Sequence, residues 1–338
     1  MTTSQVPLAV IGGGLAGTLL VRALVSRGVD GLLWLGRTDP QSGSTVPCAL
    51  VHPFVGRSFA PSPDLPEAWR VSSAWLATLP LSCGLHAAPM HRAAGDDATG
   101  ERLRRSWQRH GETLREQFGP EFIVPPPVAE RPRGFQYGPT FALDLPEAVR
   151  WSQEQLPVAP RDVGVTRLEA VGHRWRLHFD DSPPLTACEV VVCAGTGARH
   201  LLSEHAETEH LEHVEGRLVH HAAPPLSRFT IDRGHIASSA TRVAWGSSFH
   251  SHDGPRKDNS TEQLRTIESR LLAHCPELPR LRDASVWRGV RVVDRYARRP
   301  WIDTLRPGLH VFSAFGSKGT LWIPLLAQRW AERWRHAA

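Results

Sequence analysis

Near its start the chain runs Val6-Pro-Leu-Ala-Val-Ile-Gly-Gly-Gly-Leu-Ala-Gly-Thr-Leu-Leu20. Leu8 to Ile11 has the length and character of a buried strand, and Leu19, Leu20, Ala23 and Leu24 then recur at helical spacing. Between the two, Gly12, Gly14 and Gly17 stand in G-x-G-x-x-G order. Each glycine answers a separate steric demand: a tight turn at Gly12, a bare backbone at Gly14, and close helix–strand packing at Gly17. The first turn of such a helix leaves backbone N–H groups free at the positive end of its dipole, where a dinucleotide pyrophosphate sits. Strand, glycine turn and helix in this order predict the opening βαβ unit of a dinucleotide-binding fold, with Gly12, Gly14, Leu15, Ala16 and Gly17 against the pyrophosphate.

Gly31-Leu-Leu-Trp-Leu35 reads as the second strand of that unit. A dinucleotide fold normally ends this strand with an acid that holds the adenosine ribose. Here the end is Leu35-Gly36-Arg37, with Asp39 beyond. Two readings stay open: the ribose is held by backbone and Arg37, or Arg37 answers a phosphate.

At 338 residues the chain holds one large domain or two interleaved ones. Five scattered cysteines (Cys48, Cys83, Cys188, Cys193, Cys275) form no C-x-x-C pair and read as buried thiols of a reducing compartment. The N-terminus has no basic region before its first apolar segment, and no apolar run reaches the length of a membrane span, so the expected location is the cytoplasm. The net charge of +5 is spread over several segments and is weak support for a nucleic-acid partner. Six histidines between His200 and His221 read as a polar loop, with no metal site expected.

Further along, helices are expected over 67–79, over 99–118 with a solvated arginine face, and over Asp144–Leu156 with proline in the first turn. Pro120 to Pro132 reads as a connector, and Ser260-Thr-Glu-Gln263 as a capping box that opens a helix to Leu272. Strands are expected at Val163–Leu168, Trp175–Phe179, Glu189–Cys193, Val286–Val293 and Leu309–Ser313, with an antiparallel sheet over 214–250. The fold class is α/β: a discontinuous Rossmann-like dinucleotide-binding domain (1–80, 140–213 and 286–338) with an inserted antiparallel-sheet substrate domain (81–139 and 214–285).

Four pieces in this order resemble the FAD-dependent D-amino-acid oxidase-like superfamily, which includes glycine oxidase and sarcosine oxidase. They are Ile11-Gly-Gly-Gly-Leu-Ala-Gly17, Val190-Val-Val-Cys-Ala-Gly-Thr-Gly197, Trp287-Arg-Gly-Val-Arg291 with Arg299-Pro300, and Ala314-Phe-Gly-Ser-Lys-Gly-Thr-Leu321 with Pro324. Ala49-Leu-Val-His-Pro53 and Gly289-Val-Arg291 are also similar to the oxidase domain of the bifunctional enzyme that builds methylaminomethyl groups on tRNA wobble uridine; its methyltransferase part has no counterpart here. The resemblance implies noncovalent FAD, a small amine or amino-acid substrate, and hydride loss from the carbon beside a neutral amine. Imine hydrolysis follows, and oxygen or another acceptor takes the electrons. The alternatives are a tRNA side-chain oxidase, which salt-dependent tRNA binding would reveal, and a non-catalytic flavin-binding subunit.

The same resemblance implies roles for particular residues. Arg291 matches the arginine that forks onto a substrate carboxylate; as a plain strand-end arginine it would instead pair with Asp294. Lys318 lies in a loop where relatives carry a second basic residue. His235 falls where a tyrosine shares the carboxylate, and the chain's only tyrosines, Tyr137 and Tyr296, lie elsewhere. His52 and Arg57 follow the small-residue loop that runs beside the flavin, which puts Thr45, Cys48, Ala49 and Leu50 among the cofactor contacts. Arg37, Ala194, Gly195 and Gly289 join them, as do Gly316, Ser317, Lys318, Gly319 and Thr320 at the start of a final helix whose positive end faces the flavin.

Overall fold

The first strand alternates between two cores. Leu8 and Val10 face a helical layer, and Ala9 and Ile11 face the opposite side. Both faces are dry, as a central parallel strand requires. This computed structural model describes residues 5–37, 39–54, 60–124, 134–251, 258–276, 278 and 280–334.

In the first sheet the strand order is Trp301–Arg306, Leu309–Ser313, Leu185–Val192, Gln5–Ile11 and Leu32–Leu35. The last four run parallel, and Trp301–Arg306 closes the edge antiparallel. The hairpin Val165–Val171 and Arg174–Phe179 adds two antiparallel strands to the early half of Leu185–Val192. The helix Leu15–Val25 returns the chain over one face, where the terminal helix Gly319–Arg333 packs beside it.

The second sheet has ten strands and carries Arg291. Ser285–Asp294 lies antiparallel along Leu211–Ala222, with Val214 opposite Arg291. The sheet continues through Arg242–Gly246, His235–Ser238, Phe229–Ile231, His86–Ala93 and Gly134–Leu143 to Ala49–Val51. It is antiparallel but for one pair: Phe229–Ile231 runs parallel to His86–Ala93. Segments 49–51, 140–143 and 286–294, grouped above with the nucleotide-binding part, are strands of this second sheet.

Ala49–Val51, after the small-residue loop, is a strand. Two sequence expectations need correction. The connector 120–132 contains the short strand Ile123–Val124, with 125–133 outside the described residues. The capping box is displaced: the helix Ser260–Leu272 has Asn259 at its N-cap, and Asp258 Oδ1 accepts from the Ser260 N–H at 2.9 Å. Gln263, freed from a capping role, clamps Phe249 by accepting from its N–H (2.8 Å) and donating to its carbonyl (3.1 Å).

Candidate active site

The glycine turn is shaped by contacts that exclude any side chain. Gly12 has φ +134°, its N–H donates to Leu35 O at 2.6 Å, and a Cβ there would lie 2.3 Å from Cys193 O. A Cβ on Gly17 would lie 1.9 Å from Gly12 O, the oxygen that also accepts from Trp34 Nε1 at 2.9 Å. Gly14 is the N-cap of the helix and offers no side chain; the first turn holds no acid, so its positive end stays open to an anion. Ser44 Oγ reaches in from the next loop and accepts from the Leu15 N–H at 3.0 Å. Ala16 continues this first turn.

Beside this turn, Ala194 and Gly195 lead from Leu185–Val192 into a short 3-10 turn, Gly195–Gly197. Gly195 has φ +51°, and no atom lies within 4 Å of the position its Cβ would take. Thr196 Oγ1 donates to Asp39 Oδ2 at 3.4 Å, which ties this turn to the loop after Leu32–Leu35. Arg37 is exposed, 4.0 Å from Asp180. The crevice lies at the carboxyl ends of neighbouring parallel strands, where open α/β sheets take their ligands.

One loop ties this crevice to the second sheet. Val290 N–H donates to Gln41 O at 2.7 Å, and Trp287 Nε1 donates to Thr45 Oγ1 at 3.2 Å. The Trp287 ring lies over Gly289, where a Cβ would fall 2.2 Å from it. Cys48 is buried, and burial pushes its thiol up to about 12. Ala49 and Leu50 belong to the strand that pairs with Leu143 and Ala142.

Arg291 lies on the same strand, two residues after Gly289. Its guanidinium carbon sits 4.2 Å from the Phe249 ring centroid, and its Nη2 is buried with no hydrogen-bond partner among the described residues. Burial lowers its pKa to about 10. Asp294 is not its partner, because Asp294 Oδ1 accepts from the N–H groups of Tyr296 and Ala297. A buried unsatisfied donor costs about 1–3 kcal/mol. A donor left in that state in a folded protein calls for an explanation.

His235 lies within electrostatic reach of Arg291, and His52 within reach of His235. His235 opens its strand, and burial, aided by the Arg291 charge, drops its pKa to about 4. His52 is buried directly after Ala49–Val51; burial, then Arg92 and His235, push it down to about 3. Both rings are therefore neutral at pH 7. The Tyr137 hydroxyl lies 2.9 Å from His52 Nδ1. Arg57 lies outside the described residues.

The loop before the last helix meets the end of the Arg291 strand, with Val293 bridging Phe315. Gly316 (φ +57°), exposed Ser317 and partly buried Lys318 form a 3-10 turn, and Gly319 and Thr320 start the helix Gly319–Arg333. That helix has no acid in its first turn and no side-chain cap; Thr320 O accepts from buried Ser72 Oγ at 2.9 Å. Sequence reading brought Arg291, His235, His52 and Lys318 forward but passed over Ser44, Arg92, Tyr137 and Phe249. Among the described residues no group of three or more His, Cys, Asp or Glu is placed to hold a metal ion.

Residues 7–333 match the family described as DAO, FAD dependent oxidoreductase, and the chain belongs to it. The protein is thus an FAD-dependent oxidoreductase. Among solved structures, glycine oxidase from Geobacillus kaustophilus is 17% identical, with TM-score 0.76 and coverage of 99% of this chain and 96% of that one. Glycine oxidase from Bacillus cereus ATCC 14579 is 19% identical, with TM-score 0.73 over 97% and 94%. L-alpha-glycerophosphate oxidase from Mycoplasma pneumoniae, with FAD bound, is 14% identical, with TM-score 0.75 over 98% and 96%. These likenesses show the fold. No curated protein sequence matches this one. The residues present fit FAD: a bare glycine turn, an open positive helix end and the space at Gly195 are what a pyrophosphate needs. No helix among the described residues is long and apolar enough to cross a membrane.

Proposed function

We propose that this enzyme oxidises the C–N bond of an amine bearing a carboxylate, a small amino acid or an N-substituted glycine. The observation that carries the reading is the buried, unpartnered Nη2 of Arg291. Glycine oxidase and iminodiacetate oxidase, named among the structures of this fold, act on substrates of that class.

In this reading Arg291 forks onto the carboxylate, a bidentate contact that orients as well as binds. Phe249 covers one face of the guanidinium and leaves its edge to the ligand. Neutral His235, beside Arg291, hydrogen-bonds the same carboxylate without adding a competing charge. FAD, when bound, supplies the two-electron acceptor for the hydride that leaves the carbon beside the neutral amine. Gly12, Gly14, Leu15, Ala16, Gly17, Ala194 and Gly195 hold its pyrophosphate end. Thr45, Cys48, Ala49, Leu50 and Gly289 would line its ring side, and Arg37 would serve the adenosine. Lys318 and the positive end of the last helix, from Gly316 through Thr320, favour negative charge that forms beside them. Water hydrolyses the imine, and oxygen is the terminal acceptor.

Product analysis tests this directly. Incubation in air with glycine, sarcosine and iminodiacetate should yield glyoxylate, the matching amine and hydrogen peroxide from at least one of them. Turnover of an amine without a carboxylate at an equal rate would refute it.

A further inference from the structure

Tyr137 has no part in the reading above, yet it sits in the middle of three buried polar side chains. Arg92, Tyr137 and His52 are 6%, 1% and 8% exposed. Arg92 Nη1 donates to Phe54 O at 2.8 Å, and the same guanidinium hydrogen-bonds the Tyr137 hydroxyl. That hydroxyl is in turn 2.9 Å from His52 Nδ1.

The direction of each bond follows from donor chemistry. A guanidinium carries N–H groups and no acceptor, so Arg92 donates and the tyrosine oxygen accepts. The tyrosine's own proton then goes to His52 Nδ1, which receives it with its lone pair. A neutral imidazole that accepts at Nδ1 carries its proton on Nε2. With the opposite direction, the tyrosine oxygen would accept from both neighbours and its own proton would need a third partner.

We propose that Arg92 and Tyr137 are positioning residues that hold His52 as the Nε2–H tautomer, a fixed hydrogen-bond donor rather than a base, in the site it shares with His235 and Arg291. Burial favours the same outcome: it raises the pKa of Tyr137, which stays a phenol, and it keeps His52 neutral. Arg291 has no acceptor to engage that donor, and among the described residues no hydrogen bond joins His52 to His235. The Nε2–H is thereby offered to an electron-rich atom of the cofactor or substrate. This last step rests on the proposed function; the tautomer does not.

The test is the ring-nitrogen NMR spectrum of the FAD-loaded protein with isotopically labelled histidine, the His52 signals being assigned by their loss in His52→Gln. The expected spectrum has His52 protonated at Nε2 and bare at Nδ1 at neutral pH. Tyr137→Phe should convert this to a mixture of tautomers, and Arg92→Met should do the same by freeing the hydroxyl to accept from Nδ1–H. A wild-type His52 protonated at Nδ1 would overturn the proposal outright, even if neither variant folds. An unchanged single tautomer in Tyr137→Phe or in Arg92→Met would overturn the role of that residue. Because no step depends on turnover, failure here is distinct from failure of the substrate reading.

Discussion

The Phe249 ring stacks 4.2 Å from the Arg291 guanidinium, so the arginine is held by an aromatic face while its Nη2 is buried without a partner among the described residues. Gln263 fixes Phe249 through two hydrogen bonds to its backbone. Arg291 is therefore set in place by packing, and its edge is left for a ligand.

Replacing Arg291 by Lys exchanges a planar fork for a point charge. The expected loss is about 1.5–3 kcal/mol of substrate binding, roughly ten- to a hundredfold in KM. Steady-state kinetics on the same carboxylate-bearing amine check it, and the effect should fall more on KM than on kcat.

Arg291→Met should inactivate the enzyme and yet stabilise it. An unsatisfied buried donor costs about 1–3 kcal/mol, and an apolar side chain of similar length removes that cost. Urea unfolding of both proteins without substrate should show a higher midpoint for the variant.

Stability should fall on mild acidification because two histidines are held neutral. The folded pKa values are about 3 for His52 and about 4 for His235, both below the unfolded value. Between these values and about pH 6.5 the unfolded chain binds more protons, so each ring removes about 1.4 kcal/mol per pH unit as the pH falls through that window. Above pH 7 neither contributes. Urea midpoints at pH 7 and pH 5 should differ less in His52→Gln than in the wild type.

The glycine turn should be sensitive by position. Gly17→Ala drives a Cβ to 1.9 Å from Gly12 O, and overpacking against backbone costs about 3 kcal/mol or more. Gly14→Ala meets only Ser44 Oγ, at 2.8 Å, and should cost about 0.5–2 kcal/mol by displacing the group that accepts from Leu15 N–H. Thermal melts and FAD titration by fluorescence check the order: Gly17→Ala loses FAD, and Gly14→Ala binds it more weakly.

FAD should be held without a covalent bond to Cys48, whose buried thiol is kept protonated. Acid precipitation should leave all the yellow colour in the supernatant and a protein pellet with the unmodified polypeptide mass.

What the sequence disclosed was what local sterics decide. The turn Gly12–Gly17 was legible because strand, turn and helix are contiguous, and the helix Leu145–Glu154 because Asp144 caps it and Pro146 starts it. The strands His86–Ala93 and Gly134–Leu143 were not legible. Pro89, Gly138 and Pro139 interrupt their strand pattern, and only the partner strand shows that Pro89 falls at a register shift between Ala88 and Met90, where no ladder donor is needed. The same limit hid the Tyr137–His52 contact, which joins residues far apart in sequence and leaves no periodic trace. Arg291 was found through resemblance to a family; its missing partner is a property of the fold alone.

The most direct test of the account is an anaerobic absorbance titration of the FAD-loaded protein with glycine, sarcosine, proline, D-alanine, iminodiacetate and a carboxymethylaminomethyl-uridine nucleoside. The account predicts that at least one of the small amino acids bleaches the oxidised flavin band, and that Arg291→Ala abolishes the bleaching while still binding FAD. Bleaching that survives in Arg291→Ala, or a yellow protein that none of these small amino acids reduces, would contradict it.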